Sequence, residues 1–141
     1  MAGIKAGRVV TAGLLAGLVF NILDFAANTL LRSDWEAALA RLNLPPASME
    51  TPSVMATWIA VDFLLGILIV WTYAAIRPRL GPGPRTAAVA GLIPFISVSL
   101  VLFGMSVSGI FPAALFWKST AFSLITVLAG SLAGGWAYKE A

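Results

Sequence analysis

No cysteine and no histidine occur in this chain of 141 residues, and only 11% of it is charged. Without thiols there are no disulfides and no thiolate metal or iron–sulfur sites. Without imidazole there is no His-ligated zinc or haem, and no nucleophile activated by histidine. Most familiar enzyme chemistries are removed together, so a non-enzymatic protein with no metal and no cofactor is expected. The scarcity of charge also excludes an ordinary soluble domain, in which about a quarter of residues are charged.

What is abundant is apolar surface, at 60% of the residues. Four apolar runs, residues 9–31, 53–76, 86–110 and 113–138, are each long enough to cross the bilayer as a helix. The expected fold is therefore all-α: an integral membrane four-helix bundle forming one domain over residues 1–141. The first run is read as a retained helix, because it exceeds a signal peptide's apolar core, contains Asp24, and offers only Ala26-Ala27-Asn28 as a poor cleavage site.

The connections carry their own signals. Ser33 lies three residues before Glu36, the spacing of a capping box. Trp35, Ala38, Leu39 and Leu42 then share one side until Pro45-Pro46 stops the run. A short helix over residues 34–43, lying in the outer interface with Trp35 at headgroup depth, is the expectation; a plain polar loop is the alternative. The stretch from Arg77 to Arg85, rich in Pro and Gly, is expected to end the second span in a tight basic turn. Pro94, inside the third span, frees the carbonyl of Ala90 and predicts a kink.

Lys and Arg are retained in the cytoplasm during insertion. Lys5, Arg8, Arg77, Arg79, Arg85 and Lys139 fall on one side of the four spans, while Arg32 and Arg41 lie in loops on the other. Both termini are expected inside. The net charge of +3 thus sits beside apolar spans and points to membrane lipids, with no nucleic acid expected as a partner.

Three short echoes, kept in order, raise an internal repeat as an expectation beside chance matches among Ala, Gly and Leu. Ala16-Gly17-Leu18 returns as Ala90-Gly91-Leu92, Trp35-Glu36-Ala37-Ala38-Leu39 is echoed by Phe111-Pro112-Ala113-Ala114-Leu115, and Trp71-Thr72-Tyr73 by Trp136-Ala137-Tyr138. The first two spans would then match the last two as a parallel repeat about an axis along the membrane normal.

In lipid, close backbone approach through small residues and hydrogen bonds between helices carry much of the association. Gly13, Gly17, Asn21, Asp24 and Asn28 fall within one arc of the first span, at about 100° per residue. Ser119, Ser123, Thr126, Gly130, Gly134 and Ala137 share a side of the fourth span, and Ala90, Ser97, Gly104 and Ser108 a side of the third. Packing within one bundle and assembly into a homodimer or larger membrane complex through a glycine seam are both open.

The candidate site is polar. Asp24 and Asp62 lie within apolar spans at similar depth, in the outer half of the bilayer, and an ionised Asp at a helix centre costs about 2.5–3.5 kcal/mol on insertion scales. Asn21, Asn28 and Lys118 are candidates to stabilise that charge, and Trp58, Gly66 and Tyr73 share the face of Asp62, giving aromatic walls and one gap for a small pocket. This supports two readings. One is a closed hydrogen-bonded network fixing helix register in an accessory or assembly subunit or small homo-oligomer. The other is a small transporter or channel binding a proton or cation at Asp24 and Asp62. Chemistry on lipid by the two carboxylates is a distant third, since no metal cluster or phosphate loop accompanies them.

The segments Ala16 to Phe25, Asp34 to Ala38, and Tyr73 to Arg79 followed by Gly81-Pro82-Gly83-Pro84 resemble a group of small bacterial four-helix inner-membrane proteins with no known activity. The resemblance spans most of the chain and implies a bacterial inner membrane. Four short helices with an acid in the first are also a trait of small multidrug transporters, whose surrounding pattern is missing here.

Because the chain has no cysteine, single-cysteine variants report topology cleanly. With an impermeant thiol reagent on intact cells, Ser48→Cys is expected to be labelled and Arg79→Cys to be protected; the reverse pattern would invert the orientation.

Overall fold

The structure is a computed structural model that describes residues 4–139, and it is all-α. Residues 1–3 and 140–141, which the single-domain expectation included, lie outside the described residues. The elements are α1 (Ala6–Leu30), α2 (Arg32–Arg41), a 3-10 turn (Pro46–Met49), α3 (Pro52–Leu80), α4 (Pro84–Val107) and α5 (Ala113–Ala137). The four long helices are long and apolar enough to cross a membrane. At 1.5 Å per residue each spans more than the roughly 30 Å of hydrocarbon. The protein is thus a multi-span membrane protein with one short helix after its first span.

Around the bundle, α1 packs against α3 and α5, and α4 packs against α5 and α3. The α3–α5 diagonal is also closed, whereas α1 and α4 stand at opposite corners with little or no direct packing. The core concentrates at the end carrying the basic residues, where Val9, Ala12, Ala16, Phe20, Ile69, Val70, Tyr73, Ala87, Ala90 and Tyr138 form one buried cluster. Tyr73 and Tyr138 meet edge to face at 6.0 Å. The Gly83 N–H donates to the Tyr73 hydroxyl at 3.2 Å, Arg77 lies over the Tyr138 ring at 5.9 Å, and the Arg8 guanidinium donates to the Lys139 carbonyl. The opposite half, toward α2, is looser: most of α3 before Asp62 and of α4 beyond Ile96 is exposed.

Glycines set how close the helices come. A methyl group on Gly13 would lie 2.5 Å from the Ile67 Cα, and one on Gly17 would lie 2.7 Å from the Phe63 Cα. A methyl on Gly66 would meet the backbone of Gly13 and Gly17 in return. Gly130 accommodates the Phe20 ring, and Gly134 accommodates Val70 and Ala16. The glycines of α5 that suggested a dimer seam are therefore occupied inside the bundle.

Several boundaries differ from the sequence expectation. Ser33 does not cap α2; Leu31 is the residue at its start, and the Trp35 N–H donates to the Leu31 carbonyl at 3.0 Å. The helix leaves α1 with almost no linker, so Ser33 is already inside it and Glu36 turns to Arg32 instead. The α3 helix continues through Pro78 to Leu80, because a proline in the last turn forfeits one hydrogen bond without stopping the chain. Gly81, at φ 82°, ends it. On α4, Ala90 is buried as expected, and so is Gly91 beside it, but Ser97, Gly104 and Ser108 are exposed. Ser97 and Ser108 each donate to the carbonyl four residues back, which satisfies the hydroxyl without a neighbouring helix.

The segments that echo one another in the sequence fall as follows in the bundle. Ala16 and Ala90 are both fully buried. Gly17 receives the backbone of α3 at Gly66, and Gly91 receives α5 at Ser131. Tyr73 touches its counterpart Tyr138, and Trp35 touches its counterpart Phe111 edge to face at 5.5 Å.

Gly66→Val is expected to lower stability in detergent by about 1–3 kcal/mol through overpacking. Gly104→Val, where nothing lies within 4 Å, should stay within about 0.5 kcal/mol of the parent. Equal thermal unfolding midpoints for the two variants would remove the α1–α3 crossing as the determinant.

Candidate functional site

The crossing at Gly13, Gly17 and Gly66 fixes the direction in which the later side chains of α1 point. One turn after Gly17, the Asn21 amide donates to the Gly17 carbonyl at 2.9 Å and reaches the Ile59 carbonyl of α3 at 3.4 Å. Asn21 therefore ties α1 to α3. Asp24, almost a turn further and about 10 Å below the end of α1, instead lines a space that Thr126 of α5 also lines.

Between α1, α4 and α5 lies a cavity of about 130 Å³. Asp24 lines it together with the hydroxyl residues Ser99, Ser119, Thr120, Ser123 and Thr126, while Phe20, Phe95 and Pro94 supply apolar wall. Thr126 is buried, and the buried Ser119 hydroxyl oxygen makes no hydrogen bond among the described residues. The cavity exists because α1 and α4 do not pack on each other here, and because short side chains of α5 fill little of the gap. Under the offset that matches Ala16 with Ala90, Phe20 corresponds to Pro94 and Asp24 to Val98, and all four line this space.

The remaining predicted residues go elsewhere. Asp62 lies within electrostatic range of Asp24 but does not line the cavity. The pocket expected beside it is closed: the gap at Gly66 is filled by the backbone of α1, Tyr73 belongs to the basic-end core, and Trp58 is 56% exposed. Asn28 is exposed and is not part of the cavity wall.

Lys118 does not neutralise Asp24. Its ammonium donates to both carboxylate oxygens of Asp34 at 2.9 Å, joining α2 to α5. Around it Trp35, Phe111 and Phe122 pack on buried Leu31, Ala38 and Leu115. Arg32 bridges Glu36 at 3.0 Å and Glu50 at 2.7 Å. The hydrogen bond to Glu36, helped by the charge of Glu50, raises the Arg32 guanidinium further above its ordinary pKa and keeps it charged. The charges at this end thus satisfy one another in the polar layer and leave the carboxylate inside the bundle without a cation.

Ser99, Ser119, Thr120, Ser123 and Thr126 were legible only as small, packing-compatible residues. Their signal was the spacing of Ser119, Ser123 and Thr126 on one side of α5, opposite the Asp24 arc of α1. No family model, curated protein or solved structure matches the chain. Of the resemblance to small bacterial inner-membrane proteins, the all-α architecture with several membrane-length helices is what stands.

With side chains 52% and 27% exposed, the Lys118–Asp34 pair is expected to contribute less than about 1 kcal/mol. A double-mutant cycle with Lys118→Met and Asp34→Asn should return a coupling of that size that shrinks at high salt. A coupling above about 3 kcal/mol, independent of salt, would contradict this.

Proposed function

We propose that the chain is a small, non-enzymatic integral membrane protein that binds a proton or small cation at Asp24 and acts as a minimal transporter or channel. The carrying observation is that Asp24 lines a hydroxyl-rich cavity with no basic side chain in its wall. A register-fixing network would instead join it to Asn21, Asn28 and Lys118. Those residues bond to α3, lie exposed, and pair with Asp34, respectively. Carboxylates within spans most often face a cavity or a partner and mark ion paths. The placing of Lys and Arg in the loops supports cytoplasmic termini, and a bacterial inner membrane is what the resemblance to small bacterial membrane proteins implies.

A second reading has its own support. Asp62 is only partly buried beside the exposed Trp58 and Val61 on α3. A carboxylate not enclosed by its own bundle is the kind of surface that another copy or another subunit covers. On this reading the protein is an accessory subunit or homo-oligomer, and it should leave mild detergent extraction together with its partner.

In proteoliposomes, Asp24→Asn is expected to reduce cation or proton flux to the empty-vesicle level while keeping the size-exclusion profile of the parent. Unchanged flux in that variant, or loss of the folded peak with no parental flux, would return the site to a structural role.

A further inference from the structure

We infer that the ion exchanged at Asp24 is a proton, delivered from the α2 side along a short file of waters held by the hydroxyls of α5 and by Ser99 of α4. This rests on the reading of Asp24 as an ionic site, and it names the substrate and the side from which it enters.

The polar lining forms a line and not a shell. Gly134 lies against Ala16 and Gly130 against Phe20, and this antiparallel register puts Thr126 level with Asp24 and Ser119 level with Leu31, where α1 has ended. Ser119 and Thr126 are therefore about 10 Å apart along α5, and Pro94 and Leu102 of the same wall about 12 Å apart along α4. Hydroxyls at that separation cannot close around one metal ion. At about 30 Å³ per water, 130 Å³ holds on the order of four waters. A chain of them at about 2.8 Å per hydrogen bond covers the distance from Asp24 to Ser119.

The lining hydroxyls are also turned away from their own helices. Elsewhere Thr11, Thr29, Thr57, Thr72, Ser97 and Ser131 each donate to the carbonyl four residues back. Among the described residues, Ser99, Ser119, Thr120, Ser123 and Thr126 make no such bond. The Ser119 oxygen is buried and makes no hydrogen bond there at all, a condition that buried polar groups meet with water. A hydroxyl donates and accepts as water does, so the two together can relay a proton where a metal ion would find no cage.

The two ends of the space differ. Toward the basic end, the Phe20 ring fills the gap at Gly130 and joins Ile69, Val70 and Val127 in the buried core. Toward α2, Ser119 adjoins Lys118, whose ammonium pairs with Asp34 in the polar layer, and Ser123 is exposed. Asp24 is the one charged residue in the wall. Asp62 of α3 lies within electrostatic range of it, α4 brings no charged side chain to the wall, and the ammonium of α5 is held by Asp34. The state seen here is thus the one that loads from the α2 side.

Two measurements on the full chain test this. In lipid nanodiscs, Ser119→Cys and Ser123→Cys are expected to react with a cationic methanethiosulfonate about tenfold faster than two controls, because a thiol must ionise in water to react. The controls are Ile125→Cys, 62% exposed on the lipid side beside Thr126, and Val127→Cys, in the closed core. In proteoliposomes carrying a pH-sensitive dye, parental proton flux should be equal in NaCl and in choline chloride. Ser123→Leu, which puts aliphatic bulk into the file, should reduce it to the empty-vesicle level, and Ser123→Thr should keep the parental rate. If Ser123→Leu does not fold, the labelling rates decide alone. Rates at Ser119 and Ser123 no higher than at Ile125, or full flux in Ser123→Leu, would overturn the water file while loss of flux in Asp24→Asn still marks the ionic site. Flux that requires sodium would overturn the proton assignment. A parent no different from empty vesicles in either salt would overturn both the file and the ionic reading.

Discussion

Everything in this bundle depends on how closely the backbones of α1 and α3 approach. Hydrocarbon gives apolar side chains no reason to prefer each other over lipid, so the helices are held by dispersion between surfaces that fit. Gly13, Gly17 and Gly66 let two backbones meet with no side chain between them. Once that contact is made, the azimuth of α1 is set, Asn21 is brought to the Ile59 carbonyl, and Asp24 is turned past α3 toward α5. The polar site is a geometric consequence of a glycine contact two turns away.

The same crossing divides the bundle into unlike halves. Toward the basic end, small residues, the two tyrosines and the turn at Gly83 close the interior. Toward α2 the packing loosens, and short hydroxyl side chains take the positions where a tight core would carry Leu or Phe. A binding cavity needs both: a rigid half that fixes the helices, and a half with too little side-chain volume to fill the space between them.

The architecture was largely legible because its signals are long. Four runs of apolar residues average over many positions, so single errors cost little. Helix ends were less legible: Ser33 has the spacing of a cap but sits inside α2, and Pro78 has the chemistry of a terminator but sits in the last turn of α3. For the candidate site, helical periodicity put Asp24 on a protein-facing arc, but periodicity within one helix does not say which neighbour that arc meets. Lys118 shows the gap most plainly. Its depth in the sequence matched the acids of the spans, yet a long flexible stem let it reach Asp34 in the polar layer, where an ammonium keeps more of its hydration. The hydroxyls of α5 were visible as residues and invisible as a site, since small residues pack helices and line cavities with the same pattern.

Under the offset that matches Ala16 with Ala90, Phe20 corresponds to Pro94 and Asp24 to Val98, and the four line one space. Two identical chains arranged the same way would place carboxylates there in duplicate, forcing like charges together in a medium that screens them poorly. In one polypeptide the two positions need not be alike, and a single carboxyl group here shares the space with the aliphatic Val98. Asymmetry of this kind gives the space one carboxyl group, an odd number that no pair of equal subunits can present.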